Sequence, residues 1–228
     1  MAERYGLMVP GAKSSSPAID VLSPYNNLKI GSVATADADV AEQALKTAYA
    51  LYRNRDSWLP AWQRVDILER TVEIMTKRAD YLALESAREG GKPLTDSKHE
   101  VARAIDGVKL CIEALRTQAG EEIPMGISRS SVHRLAFNSL EPIGVVTAVS
   151  AFNHPLNLIV HQVCPAVAVG CPVIVKPSED TPLSCMRFVK ILREAGLPDE
   201  WCQPMVTAGR AVSEKIVTDS RVGFFSFI

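Results

Sequence analysis

The glycine-rich fingerprint G-x-G-x-x-G of an ordinary dinucleotide-binding unit is missing here. The first strongly apolar β-type run, Val145 to Val149, leads into Phe152-Asn153-His154-Pro155 with no glycine among them. An ordinary Rossmann dehydrogenase is therefore disfavoured. There is no C-x-x-C pair either: Cys111, Cys164, Cys171, Cys185 and Cys202 are scattered, and their odd number argues against a complete disulfide framework. Reduced, mostly packed thiols are expected. The four histidines, His99, His133, His154 and His161, never fall into ligand spacing with a cysteine pair, which argues against zinc. An excess of one charge is lacking too, since 25 Lys+Arg stand against 26 Asp+Glu, and no stretch gathers cations into the stripe that a nucleic acid backbone requires. The longest apolar runs, 144–152 and 163–175, are too short or are interrupted by Pro or Gly, and no charged-then-apolar leader opens the chain. The expectation is a soluble, cytoplasmic protein with neither a nucleic acid nor a membrane as partner.

What is present is 47% hydrophobic residues over 228 positions, enough for one large or two small packed domains and incompatible with disorder. Residues up to about Ile30 are rich in Ser, Pro, Gly and Asn and suit turns with short strands embedded. An acidic cap at Asp37 then precedes Val40, Ala44, Leu45, Ala48 and Leu51 at helical spacing, predicting a helix over 37–53. One longer helix is expected over 61–89, ended by Gly90-Gly91, and another over 95–119, ended by Gly120. Between Glu121 and Leu140 the pattern suits an extended connector or strand pair.

From Pro142 the period changes. Strands are expected at 145–149, 173–175, 205–206 and 223–227, with helices over 155–170, 181–195 and 209–218 between them. Thr181-Pro182 reads as a cap followed by proline at the first helical position. This βαβαβαβ rhythm implies a parallel sheet covered on both faces, with ligands beyond the carboxyl ends of its strands. That rule selects three loops. In the first, Asn153 can either cap the following helix or donate its amide N–H to a developing oxyanion. In the second, Lys176 and Glu179 can donate to and accept from a ribose, or form a solvated turn. In the third, Gly209 can let the backbone approach a cofactor, or simply turn.

The runs Glu141-Pro142-Ile143-Gly144-Val145-Val146, Phe152-Asn153-His154-Pro155-Leu156-Asn157, Pro165-Ala166-Val167-Ala168-Val169-Gly170, Val175 to Ser184 and Glu194-Ala195-Gly196-Leu197-Pro198 stand in this order. Together with Gln63 to Leu68 and Glu89-Gly90-Gly91-Lys92-Pro93 they closely resemble the aldehyde dehydrogenase superfamily, over nearly the whole chain after the first twenty or so residues. The resemblance implies an α/β fold: a Rossmann-like parallel sheet, an amino-terminal helical part (1–125), an extended oligomerisation arm (126–141) and an NAD(P)-binding part (142–228). It implies oxidation of a small aldehyde by NAD, or by NADP, in a homodimer or homotetramer. Asn153 would stabilise the oxyanion. Lys176, Ser178 and Glu179 would hold the adenosine ribose, and Ser150, Phe152, Asn153 and Gly209 would lie along the cofactor.

In that family a cysteine thiolate attacks the aldehyde, hydride passes to the nicotinamide, and a glutamate activates water to release the acid. None of the five cysteines matches the nucleophile's motif. Phe224 to Ile228 resembles the strand before the family's Phe-Thr-Gly-Ser turn, with Ile228 where Thr is usual, so the catalytic domain is expected beyond the chain. His154 with Asn157-Leu158 resembles the branch acting on lactaldehyde, phosphonoacetaldehyde or glyceraldehyde 3-phosphate. Two alternatives remain: an acylating enzyme that passes its thioester to coenzyme A, and a non-catalytic nucleotide-binding or interaction fragment.

Overall fold

A computed structural model describes residues 2–13 and 15–228. Its centre is a four-stranded, wholly parallel sheet of β7 (Val145–Val149), β8 (Val173–Lys176), β9 (Cys202–Pro204) and β11 (Val222–Phe227), in the order β11-β7-β8-β9. Side chains alternate between its faces, as the pleat requires. Val146, Ala148, Val173 and Val175 enter one core, beneath α5 (Asn157–Val169) and α6 (Leu183–Glu194). Val145 and Ile174 enter the other, where α1 (Ala38–Arg53) and α7 (Arg210–Thr218) pack. Near-continuous apolar runs such as those of β7 and β8 are what strands buried on both faces demand.

The expected third strand is in fact two. Its partner in the main sheet is β9, which ends at Pro204, a residue with no N–H to extend a ladder and suited to an edge. Met205 N–H still reaches the Val175 carbonyl at 2.9 Å, and then β10 (Val206–Thr207) turns away to pair in parallel with β4 (Thr35–Ala36). At the other edge Gly144 adopts φ +146°, and a Cβ there would stand 2.9 Å from Gly223 Cα. Only glycines let these two backbones pass so closely.

Near the amino terminus, β1 (Glu3–Tyr5), β3 (Lys29–Val33) and β2 (Ile19–Leu22) make a small mixed sheet. Asp37 caps α1 by accepting from the Val40 N–H at 3.1 Å, as expected. The single helix expected over 61–89 breaks instead at Arg78, dividing into α2 (Ala61–Lys77) and α3 (Ala79–Gly90). Arg78 leaves helical geometry at φ −108°, ψ 13°, and its guanidinium is bidentate to Glu194 of α6 at 2.7 and 2.8 Å. With α4 (Leu94–Thr117) these helices form an outer layer on α5 and α6. The connector is a short arm, β5 (Glu122–Ile123) paired antiparallel with β6 (Ala136–Phe137), with Ile127, Leu135 and Phe137 exposed.

Candidate active site

The loops after β7 and β8 adjoin at the carboxyl end of the sheet and a third follows β10; every sequence-predicted site residue lies on one of them or, for Lys176, at the last position of β8. Ser150 follows β7 directly and donates its N–H to the Lys176 carbonyl at 3.0 Å, tying the first two loops together. Its hydroxyl is buried and has no partner among the described residues. Phe152 and Asn153 are exposed at the tip of the first loop.

In the second loop Lys176 Nζ stands 3.8 Å from Glu179 Oε1; the lysine is mostly buried and the carboxylate mostly exposed. A donor and an acceptor so placed match two vicinal hydroxyls, which each need a partner. Ser178 Oγ accepts from the Asp180 N–H at 3.3 Å, so its visible role is to shape the turn. Glu179 shares with Phe152 and Thr181 a cleft of 440 Å³, whose far wall is the end of α3 and strand β2. That volume suits a small-molecule site. In the third loop Gly209 is exposed at φ +142° and precedes α7, where no side chain caps the helix and no acid occupies the first turn.

Helix amino termini attract anions, so their occupancy decides where a cofactor's phosphates can go. At α5 the N–H groups of Leu156 and Asn157 are taken by Glu100 Oε1 at 2.9 and 3.0 Å. At α6 the expected Thr181 cap is displaced. Glu89 accepts from the Leu183 and Ser184 N–H groups and, at 2.6 Å, from the Ser184 hydroxyl. Both carboxylates come from the outer helical layer and are buried. Burial pushes Glu89 above the ordinary carboxylate range, while Arg187 and the α6 donors oppose the rise. The starts of α5 and α6 are thus already filled with negative groups. Of the three helices that follow these loops, α7, behind Gly209, is the one whose start is met by no side chain among the described residues.

The Asn153 loop is held by contacts that the sequence reading did not give. Thr181 Oγ1 donates to the Phe152 carbonyl at 3.3 Å, and Lys92 Nζ donates to the Asn153 carbonyl at 3.2 Å and pairs with Glu100. The Asn153 side chain has no hydrogen-bond partner among the described residues, and α5 has no side-chain cap of its own. Of these groups Thr181 and Lys92 lay in motifs noted above, and nothing local gave either a contact with the Asn153 loop.

The thiols are unsuited to attack. Burial raises all five: Cys111 to about 11, Cys202 to about 12, and Cys164, Cys171 and Cys185 upwards as well. A nucleophilic cysteine needs the opposite shift. Among the described residues no group of His, Cys, Asp and Glu can hold a metal ion, and no helix is long and apolar enough to cross a membrane.

Comparison with known proteins identifies the family. The aldehyde dehydrogenase family profile matches residues 12–228. A 3-sulfolactaldehyde dehydrogenase from Priestia aryabhattai is 30% identical over 226 residues, covering 99% of this chain and 47% of that protein. Aldehyde dehydrogenase 21 from Physcomitrella patens, solved with the reaction product succinate, superimposes with a TM-score of 0.90 at 30% identity, over 99% of this chain and 47% of that one. Glyceraldehyde-3-phosphate dehydrogenase from Methanocaldococcus jannaschii, complexed with NADP, gives 0.84 at 30% identity, over 94% and 46%. The chain therefore spans about half the length of the relatives it matches.

Proposed function

The chain belongs to the aldehyde dehydrogenase family, and on that premise we propose that the complete protein oxidises a small oxygenated aldehyde to its acid with NAD or NADP. This reading is supported by Asn153 and the Lys176–Glu179 pair lying on adjoining loops at the carboxyl ends of β7 and β8. The nicotinamide cofactor, when bound, supplies the hydride acceptor. The residues of this chain do the rest of what lies on its side of the site. Lys176 donates to and Glu179 accepts from the adenosine ribose, while Ser178 shapes that turn and the Ser150 and Phe152 backbone lines the path. The open start of α7, approached closely because Gly209 carries no side chain, receives negative charge.

Asn153 is the catalytic residue of this half. When a thiolate adds to the aldehyde carbon, the carbonyl oxygen becomes an anion, and an unengaged amide N–H aimed at it lowers the barrier by about 3 kcal/mol. The thiolate itself and the base that activates water come from the remainder of the protein, since none of the five cysteines has the lowered pKa required. The substrate class is supported by the names of relatives that act on 3-sulfolactaldehyde and glyceraldehyde 3-phosphate. A homo-oligomer built through the arm is supported by Ile127, Leu135 and Phe137, apolar side chains exposed along it.

The test is to supply the complete protein with lactaldehyde and NAD and to measure NADH and acid together. One equivalent of each is expected, and Asn153→Ala should lower kcat by about a hundredfold or more with the fold intact. Absence of NADH with every small oxygenated aldehyde contradicts the activity, and undiminished turnover in Asn153→Ala contradicts the role given to that amide.

A further inference from the structure

We propose that Lys92, seated on the buried carboxylate of Glu100, is the positioning residue that aims Asn153. The proposal rests on the oxyanion role of Asn153 and adds how the amide is held. One ion pair grips the loop at two points. The ammonium takes the Asn153 carbonyl at 3.2 Å, and Glu100 Oε1 takes the N–H groups of Leu156 and Asn157 at 2.9 and 3.0 Å. Glu100 Oε2 is engaged by Lys92 and, at 2.9 Å, by the Ser86 hydroxyl. Between the gripped points lie only His154 and Pro155, and proline removes one backbone rotation. Among the described residues the Asn153 side chain has no hydrogen-bond partner, so its direction follows from its backbone, and its backbone is set by Lys92.

The pair is built rather than incidental. The Glu100 side chain is fully buried and that of Lys92 is 13% exposed, so the charges interact away from most solvent screening. Lys92 is aimed by the turn before it. Gly91 ends α3 in the left-handed region at φ +63°, and a Cβ there would come within 2.4 Å of Pro24 Cγ. No other residue fits that corner, so the chain must leave α3 in the direction that brings Lys92 to the loop.

The experiment is a kinetic cycle in the complete protein with Lys92→Met, Asn153→Ala and the two combined. Lys92→Met should lower kcat by about tenfold or more with KM for NAD unchanged, since a small misplacement of a reacting group is costly. It should add nothing in the Asn153→Ala background, and Lys92→Arg should recover part of the loss. Because a lone buried carboxylate can unfold the protein, Lys92→Met/Glu100→Gln is measured beside it; this removes both charges and leaves an oxygen for the two N–H groups. It should show the same loss of kcat and the same non-additivity. A loss that multiplies in full onto Asn153→Ala, or no loss from either variant, overturns the positioning role while leaving Asn153 itself in place. Full turnover in Asn153→Ala alone overturns the oxyanion role and this proposal with it.

Discussion

Glu179 Oε1 lies 3.8 Å from Lys176 Nζ at the mouth of β8, an acceptor beside a donor, which the proposed function assigns to the adenosine ribose. The carboxylate is the more exposed of the two and would meet a 2′-phosphate with like charge. NAD should therefore be preferred over NADP. Glu179→Gln should shift the ratio of kcat/KM values towards NADP. A parent protein that already works better with NADP contradicts this reading of Glu179.

Arg221, at the foot of β11, joins that strand to α1 and α7. It makes paired bonds to Glu42 at 2.8 and 2.9 Å and meets Asp219 at 2.8 Å, while Lys215 of α7 also reaches Glu42 at 2.9 Å. Hydrogen bonds from Arg221 hold both carboxyls down at about 2. Their folded values lie below the unfolded ones of about 4, so their stabilisation is present above that range and is lost as pH falls through about 2. Melting temperature should fall between pH 4 and 2, and Arg221→Met should flatten that fall. An identical acid profile in Arg221→Met rules the cluster out as its cause.

The raised thiols make a prediction of a different kind. In the complete protein Cys164→Ala and Cys171→Ala should keep turnover near the parent level, because neither sulfur is ionised at neutral pH. A polypeptide of residues 1–228 alone should form no NADH, and it should self-associate through Phe224, Phe225 and Phe227, which are 51%, 41% and 71% exposed on β11. Light scattering and an NADH assay read both. Turnover abolished by either alanine would show a nucleophile among these buried sulfurs.

The alternation of strands and helices after Pro142 was legible because Val145–Val149 and Val173–Lys176 are apolar runs of β-formers separated by helical lengths. Positions on the three loops followed from the topology. The break at Arg78 was not legible, since Lys77 and Arg78 favour helix locally and the contact that Arg78 makes at the turn is with Glu194, 116 residues away. For the same reason Thr181 read as a cap. The Thr-Pro signature is local, whereas the carboxylate that outcompetes it arrives from Glu89, 94 residues earlier in the chain than Leu183. Lys92 and Glu100 illustrate the same limit at the site itself: the pair is close in sequence, but its meeting with Asn153 exists only once α4 packs on α5.

The central claim is that this half of the protein binds the adenosine end of a nicotinamide cofactor at the mouth of β8. The most direct measurement is the dissociation constant of NADH for the complete protein and for Lys176→Met, by fluorescence titration with ADP-ribose as competitor. The account predicts saturable binding displaced by ADP-ribose and weakened about tenfold or more by the substitution, as befits loss of a charged hydrogen bond. Affinity unchanged in Lys176→Met, or NADH not displaced by ADP-ribose, would contradict it.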